Sequence, residues 1–356
     1  MERRIAGWSA AGLGGVFALA LVIALGLGSE AGWAQRIFFI IATGPTSGTY
    51  FPVGEAIAGL VSHPPGLHRC DAPGVCGPAG LIASARTSAG AISNVVDVNA
   101  HRVNSGLAQA DVIAEAVAGK GAFRKIGAQS HVSVIADLFP EELHLIAAKR
   151  SRINSVAGLR GKRVSLGDPA SGTIVTARTV LSAYRVPLWR LKAQQLPSDV
   201  AADELEKGKL DAFFFVGGAP VALVRDLVAR GQAVLVPIDG AGRKRLLARV
   251  PSLSAERIAA GTYSGTGAVE TVSVRALWVV NSAEPNDVVY AVTRALFNPA
   301  NRGLLDQSHP SAKLIRLDGA TADLPAPLHP GAARFYREAG KLPAIPVPAK
   351  PPANRS

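Results

Sequence analysis

The chain has 356 residues, longer than a single domain usually runs, and its 38 Lys and Arg against 26 Asp and Glu give a net charge of +12. Those cations are dispersed and form no nucleic-acid-binding module, so nucleic acid is excluded as a partner, and seven scattered histidines with two cysteines supply no metal-site motif. Low aromatic content with abundant Ala, Gly, Val and Leu suits α/β layers better than a β-sandwich, and the length predicts two lobes.

Residues 1–34 read as an export signal. Arg3 and Arg4 precede an uncharged apolar stretch over 12–27, and Ala31-Gly32-Trp33-Ala34 places cleavage after Ala34. The alternative is a retained anchor, for which the apolar run is short against a span of roughly 20 residues. The expected location is the periplasm. Cys70 and Cys76, in Cys-x5-Cys, are the only cysteines, and in an oxidising compartment they read as a local disulfide.

In chain order, residues 37–41 are an unbroken β-branched and aromatic run, a strand buried on both faces. Gly44-Pro45 stops it, Ser47-Gly48-Thr49 forms a small-residue loop, and Val53, Ile57, Leu60 and Val61 begin a helix. A loop over 69–80 follows, then a strand over 81–87, Ser88-Ala89-Gly90, and a helix over 91–99. Leu107-Ala108 starts a strand, and Gln109-Ala110-Asp111 caps a helix over 112–118. Strands are predicted over 132–138 and 143–148, with residues 139–142 as a hinge between them.

A short helix over 155–159 and a strand from Arg163 to Leu166 lead to Ser171-Gly172-Thr173, which opens a helix reaching about residue 184. Another helix is predicted over 200–207, and an apolar strand over 212–216. Gly217-Gly218-Ala219-Pro220 starts the helix over 221–230, and a strand over 233–236 and a basic helix over 243–248 follow. Residues 276–280 carry the chain back, and helices over 287–297 and 331–340 complete the first lobe. The proline-rich stretch from Leu342 is predicted to lack structure.

The two Ser-Gly-Thr turns, about half a chain apart, each join a strand to a helix start, where backbone amides and the helix dipole favour a small anion. The expected division is lobe one over 35–140, lobe two over 141–280, and a return to lobe one over 281–341, leaving 342–356 as the tail. Two crossovers and a hinged cleft are the architecture of a solute-binding protein. The chain carries no Gly-x-Ser-x-Gly, His-Glu-x-x-His or phosphate-loop Gly-Lys-Ser, so an enzyme finds little support. An enzyme on the same bilobal fold, or a partner presenting ligand to a membrane sensor kinase, stays as an alternative.

Seven motifs then carry a resemblance. Ala42-Thr43-Gly44-x2-Ser47-Gly48-Thr49-Tyr50, Ala108-Gln109-Ala110-Asp111 and residues 159–167 come first, with Ser171-Gly172-Thr173-x2-Thr176-Ala177 and residues 211–215 after them. Ala260-Gly261-Thr262-Tyr263 and residues 327–332 complete a set that runs in order over nearly the whole mature chain. Together they resemble the TAXI family of TRAP-transporter solute-binding proteins. The resemblance implies an α/β fold of the type II periplasmic-binding-protein kind, a small anionic solute such as glutamate or a dicarboxylate, and delivery to an ion-coupled TRAP-type membrane permease. It implies no cofactor and no catalysis; a monomer is expected. One departure concerns residues 87–91, where Ala91 replaces a family hydroxyl while Asn94 is kept, and Ser88 can compensate.

The candidate ligand contacts are Ser47, Gly48, Thr49 and Tyr50 on one side, and Ser171, Gly172 and Thr173 on the other. Each also reads as an ordinary helix cap; the repeat of the turn in both lobes favours ligand contact. Gln109 at a strand end, Ser88, Asn94, Phe215 and Gly217 are added, with Tyr263 a weaker candidate. Asp111 reads as a helix cap, and Arg178 as a surface residue before a carboxylate clamp.

Overall fold

The computed structural model describes residues 36–344; the expected signal peptide and residues 345–356 of the proline-rich tail lie outside them. In the first part of the chain β1 (Ile37–Ala42), α1 (Tyr50–Val61), β2 (Leu81–Arg86), α2 (Ala91–Asn99), β3 (Ser105–Gln109) and α3 (Ala110–Val117) alternate. The strands β1, β2 and β3 pair in parallel, with β1 in the middle. After β4 (Val132–Ala148) the alternation resumes with β5 (Arg163–Ser165), α4 (Gly172–Ala183), β6 (Lys192–Gln194), α5 (Ser198–Glu206), β7 (Ala212–Gly217), α6 (Ala222–Ala229), β8 (Ala233–Leu235) and α7 (Gly240–Arg249). β9 (Leu253–Ile258) and β10 (Val269–Asn281) return the chain to α8 (Asn286–Leu296), α9 (Arg302–Ser308) and α10 (Pro330–Glu338).

All ten strands join one mixed sheet in the order β2-β1-β3-β10-β4-β7-β5-β6, with β8 added on β4 and β9 on β10. Each half repeats one pattern: three parallel strands with the first in the middle, closed by an antiparallel strand. That closing strand is β10 against β3 in the first half and β4 against β7 in the second. The two closing strands pair with each other over Val132–Glu142 and Ser273–Asn281, so they belong to both halves at once.

The residues 132–138 and 143–148, predicted as two strands around a hinge, form the single strand β4. Pro140 does not interrupt it. It pairs opposite Arg275 beside a register shift at Ala276/Leu277, an irregularity that tolerates a residue with no amide donor. At Glu142 the strand passes from β10 to β7. Two strands escaped the sequence: β6 is three polar-leaning residues, and β9 is a half-exposed edge with a Ser-Ala-Glu-Arg centre.

Helices pack on the sheet through small-residue contacts and apolar stripes. α1 buries Val53, Ile57, Leu60 and Val61, and Gly54 lets it approach the sheet, since a Cβ there would meet Thr43 Cγ2 at 2.4 Å. Phe39 of β1 meets Trp278 of β10 edge-on, ring centroids 6.4 Å apart, a contact worth about 0.5–1.5 kcal/mol beyond burial. In the second half Phe213, Val224 and Leu227 pack with Tyr263. The expected disulfide Cys70–Cys76 is formed, and its small apolar cluster includes Val75 and Leu67. Leu342, placed by the sequence in the unstructured tail, packs against the first-half core.

Candidate functional site

Every strand–helix junction of the parallel units lies at the carboxyl end of a strand, and five of them meet at one cavity of about 300 Å³. Thr49, Gly90 and Gln109, which precede α1, α2 and α3, line it from the first half, and Ser171 and Pro197, which precede α4 and α5, line it from the second. None of these five residues caps its helix with a side-chain hydrogen bond. The partial positive ends of these helices therefore face the cavity, although the first-turn amide of Ser93 in α2 is taken by the Ala170 carbonyl and that of Val112 in α3 by Asp111.

Of the twelve candidate residues, Gly48, Thr49, Tyr50, Ser88, Gln109, Ser171, Gly172, Thr173 and Phe215 line this cavity. Ser47, Asn94 and Gly217 do not. Ser47 sits in the turn closed by the Gly48 amide donating to the Pro45 carbonyl. Asn94 is fully buried and braces the first half: its amide donates to the Thr43 and Leu107 carbonyls, and its oxygen accepts from Ser88 Oγ. Ser88, the hydroxyl expected to compensate at Ala91, also accepts from the Gly90 amide, so it holds the loop. Gly217 lies against Thr49 and Phe215, just outside the lining. Tyr263 is buried below the site, accepting from the Val221 amide and lying 2.8 Å from His144 Nε2. Arg178 is exposed and shares a separate hollow with Arg249.

The halves touch across the cavity. The Ser93 amide donates to the Ala170 carbonyl at 3.1 Å, Thr176 Oγ1 donates to Asp111 Oδ2 at 2.8 Å, and Thr49 Oγ1 to the Gly218 carbonyl at 3.4 Å. Gly172 is in tight contact with Gln109: a Cβ on it would lie 1.3 Å from Gln109 Oε1. Asp111, read as a helix cap, holds the Val112 amide with one oxygen and the opposite half with the other.

Two lining groups are buried without a partner, Gln109 Oε1 and Ser198 Oγ. A buried polar atom without a hydrogen bond costs about 1–3 kcal/mol, so both mark places where a ligand atom is wanted. Among the described residues no Lys or Arg lines the cavity, while Glu141, Asp168 and Asp199 do. Glu141, which the sequence placed in the hinge, accepts a hydrogen bond from Tyr50 at 2.7 Å. Burial pushes its carboxyl up to about 8, and pushes the Tyr50 hydroxyl well above its ordinary value. Asp111 is raised to about 6, again by burial. Asp168 folds one oxygen back on the Ala170 amide at 2.8 Å. At neutral pH Glu141 is thus a neutral acid, and amides and hydroxyls share the rest of the lining with the carboxyl groups of Asp168 and Asp199. Glu141 gave no sequence signal, since Tyr50 is 91 residues away and the pairing needs the two halves together.

Two matching α/β halves, two strands shared between them and a cavity where strand ends face one another define the type II periplasmic-binding-protein fold. The chain belongs to the NMT1-like family, whose model matches residues 41–340. Among solved structures it is similar to the alkanesulfonate-binding protein SsuA from Xanthomonas axonopodis pv. citri bound to MOPS, at 15% identity over 85% of this chain and 84% of that one, TM-score 0.46. It is likewise similar to the periplasmic aliphatic sulphonate binding protein SsuA from Escherichia coli, at 14% identity over 85% and 84%, TM-score 0.44. A binding protein component of an ABC phosphonate transporter from Pseudomonas aeruginosa matches at 12% identity over 79% and 81%, TM-score 0.46.

Proposed function

We propose that this protein is the extracytoplasmic solute-binding subunit of a transporter, capturing a small anionic solute in the cleft and handing it to a TRAP-type, ion-coupled permease. The observation that carries the reading is the cavity on which five helix starts converge, with two unpartnered polar atoms in its lining. Among the described lining residues none is arranged as a nucleophile with a base, and helix starts converging on one cavity are what anion capture requires. The ordered sequence motifs favour the TRAP-type permease. Export to the periplasm and a monomeric state belong to the same reading.

The lining also favours one kind of anion. A dicarboxylate would bring two charges to a cavity that, among the described residues, is lined by Glu141, Asp168 and Asp199 and by no Lys or Arg, whereas an acidic amino acid carries its own ammonium. That ammonium can donate to Gln109 Oε1 and Ser198 Oγ while a carboxylate takes the helix-start amides. The protonated Glu141 adds a neutral partner. Binding closes the halves: the Thr49 and Gln109 loops belong to one and the Ser171-Gly172-Thr173 turn to the other, so only the closed form surrounds the solute.

Thermal-shift and native mass-spectrometry screens of acidic amino acids, dicarboxylates and sulfonates test the ligand class. A ligand at a hundredfold its Kd stabilises by about 2.7 kcal/mol. Uptake by cells that collapses with the ion gradient supports the TRAP-type partner, and uptake that survives it while ATP lasts removes that partner. One observation favours an enzyme instead, the raised carboxyl of Glu141 inside the cavity. Turnover of the bound solute, abolished in Glu141→Gln, would establish that reading over this one.

A further inference from the structure

The outer edge of the second half carries a feature that ligand capture does not use. β6 is the last strand of the sheet, and the 3-10 turn Leu188–Arg190 leads into it. Trp189 on that turn is 75% exposed, more than any other large hydrophobic side chain among the described residues, and Leu188 beside it is exposed too. The guanidinium of Arg190 lies over the indole, 4.6 Å from its centroid. Backbone pairing brings further cations to the same edge. The Lys192 amide donates to the Lys162 carbonyl at 2.8 Å, the Gly161 amide to the Arg190 carbonyl at 2.6 Å, and Arg160 Nη2 to the Arg185 carbonyl at 3.0 Å.

Arg160, Lys162, Arg185, Arg190 and Lys192 thus share one edge, and none of them forms an ion pair with a carboxylate among the described residues; Asp211 is engaged by Arg163. The second half as a whole carries most of the net charge. Residues 149–270 hold 19 Lys and Arg against 10 Asp and Glu, which is +9 of the total +12. An exposed indole amid unpaired cations matches the chemistry of a partner that is both anionic and partly apolar.

We propose that this edge docks on an anionic lipid surface, with Trp189 and Leu188 entering the headgroup layer and the five cations resting on lipid phosphates. An acidic protein patch is the rival occupant. Lipid is favoured because the cations are spread along an edge with no acid holding their geometry, which suits mobile headgroups. The indole also has the amphipathic character of a membrane-interface residue. Long Lys and Arg side chains can keep their charges at the phosphates while the turn settles inward. The docking is independent of which solute the cleft takes.

The test uses the full chain with vesicles of phosphatidylcholine alone or mixed with phosphatidylglycerol, their acyl chains brominated. The signal is the part of the tryptophan emission that Trp189→Phe removes; Trp278 is fully buried, and all variants share the same N-terminus. On anionic vesicles this component should be quenched and blue-shifted, and the effect should fade as salt rises from about 0.05 to 0.5 M. Arg190→Glu with Lys192→Glu should weaken the effect about tenfold or more at an unchanged melting temperature. No quenching on anionic vesicles overturns the proposal, as does equal quenching on neutral ones. Protection of Trp189 only by a purified acidic membrane protein in lipid-free detergent would assign the edge to a protein partner instead.

Discussion

Gly172→Ala is the sharpest single test of the site. The added methyl would lie 1.3 Å from Gln109 Oε1, 2.5 Å from its Cδ and 3.1 Å from Ala91 Cβ. Gln109 is the flexible member, so its amide must leave the place where it faces the ligand, and the methyl must still wedge between the halves. The lost hydrogen bonding is worth about 0.5–1.5 kcal/mol and the overpacking about 1–3 kcal/mol. A combined loss of about 2 kcal/mol weakens binding about thirtyfold. The ligand-free protein should melt nearly as before, because opening the cleft separates Gly172 from Gln109. Calorimetry with the acid that gives the largest thermal shift measures the effect, and a double-mutant cycle isolates its cause. If displacement of Gln109 is the mechanism, Gln109→Ala/Gly172→Ala binds no worse than Gln109→Ala alone. A Gly172→Ala protein that binds like the parent, or two losses that simply multiply, would refute the reasoning.

Ser198→Ala removes a buried hydroxyl that has no partner, so the free protein should be as stable as the parent or slightly more so while ligand affinity falls several-fold; melting and titration together check it. Tyr50→Phe deprives Glu141 of its hydrogen bond and should cost about 1–3 kcal/mol in chemical denaturation. The pH dependence has a definite sign. Glu141 is raised from its ordinary value to about 8, so the folded state binds the extra proton and stability falls as pH rises towards 8. Asp111 acts in the same direction up to about 6, and His144, depressed to about 4 by burial, acts oppositely below its ordinary 6.5. His309 and His329, also lowered by burial, oppose it around 6.5, so the Glu141 slope is clearest towards 8, and Glu141→Gln should flatten it there in denaturant titrations. Reduction of Cys70–Cys76 opens a short loop and should lower stability by about 2 kcal/mol without changing ligand affinity, read by melting with and without reductant.

Local signals in the chain were enough for the parallel units. The Ile37–Ala42 and Ala212–Gly217 runs, the Ser-Gly-Thr turns and the helix stripes after them are readable because period and turn chemistry are local. Gly48, Thr49, Ser171 and Thr173 could be nominated for the same reason: a helix start after a strand end is visible in one short window. Asn94 and Ser88 show the limit of such nomination, since a buried amide bracing two strands and a ligand contact look alike in sequence until their partners are known. Glu141 was invisible, since its depth and its bond to Tyr50 depend on long-range pairing. β6 and β9 were missed because edge strands are polar and short, and pairing rather than propensity creates them.

The sharing of β4 and β10 between the halves also dictates the order in which the molecule can be made. The parallel trio β1–β3 is bounded by β10, which ends at Asn281, so the early part of the chain cannot close its sheet until four fifths of the sequence has emerged. Until then Leu107, Ala136 and Leu138 lack the Trp278 and Val280 side of their core. A nascent chain is therefore held back from its native topology by its own connectivity, with loop closures longer than 130 residues still to be made. In the export proposed above, late completion of the sheet would act as a built-in delay against folding before the membrane is crossed.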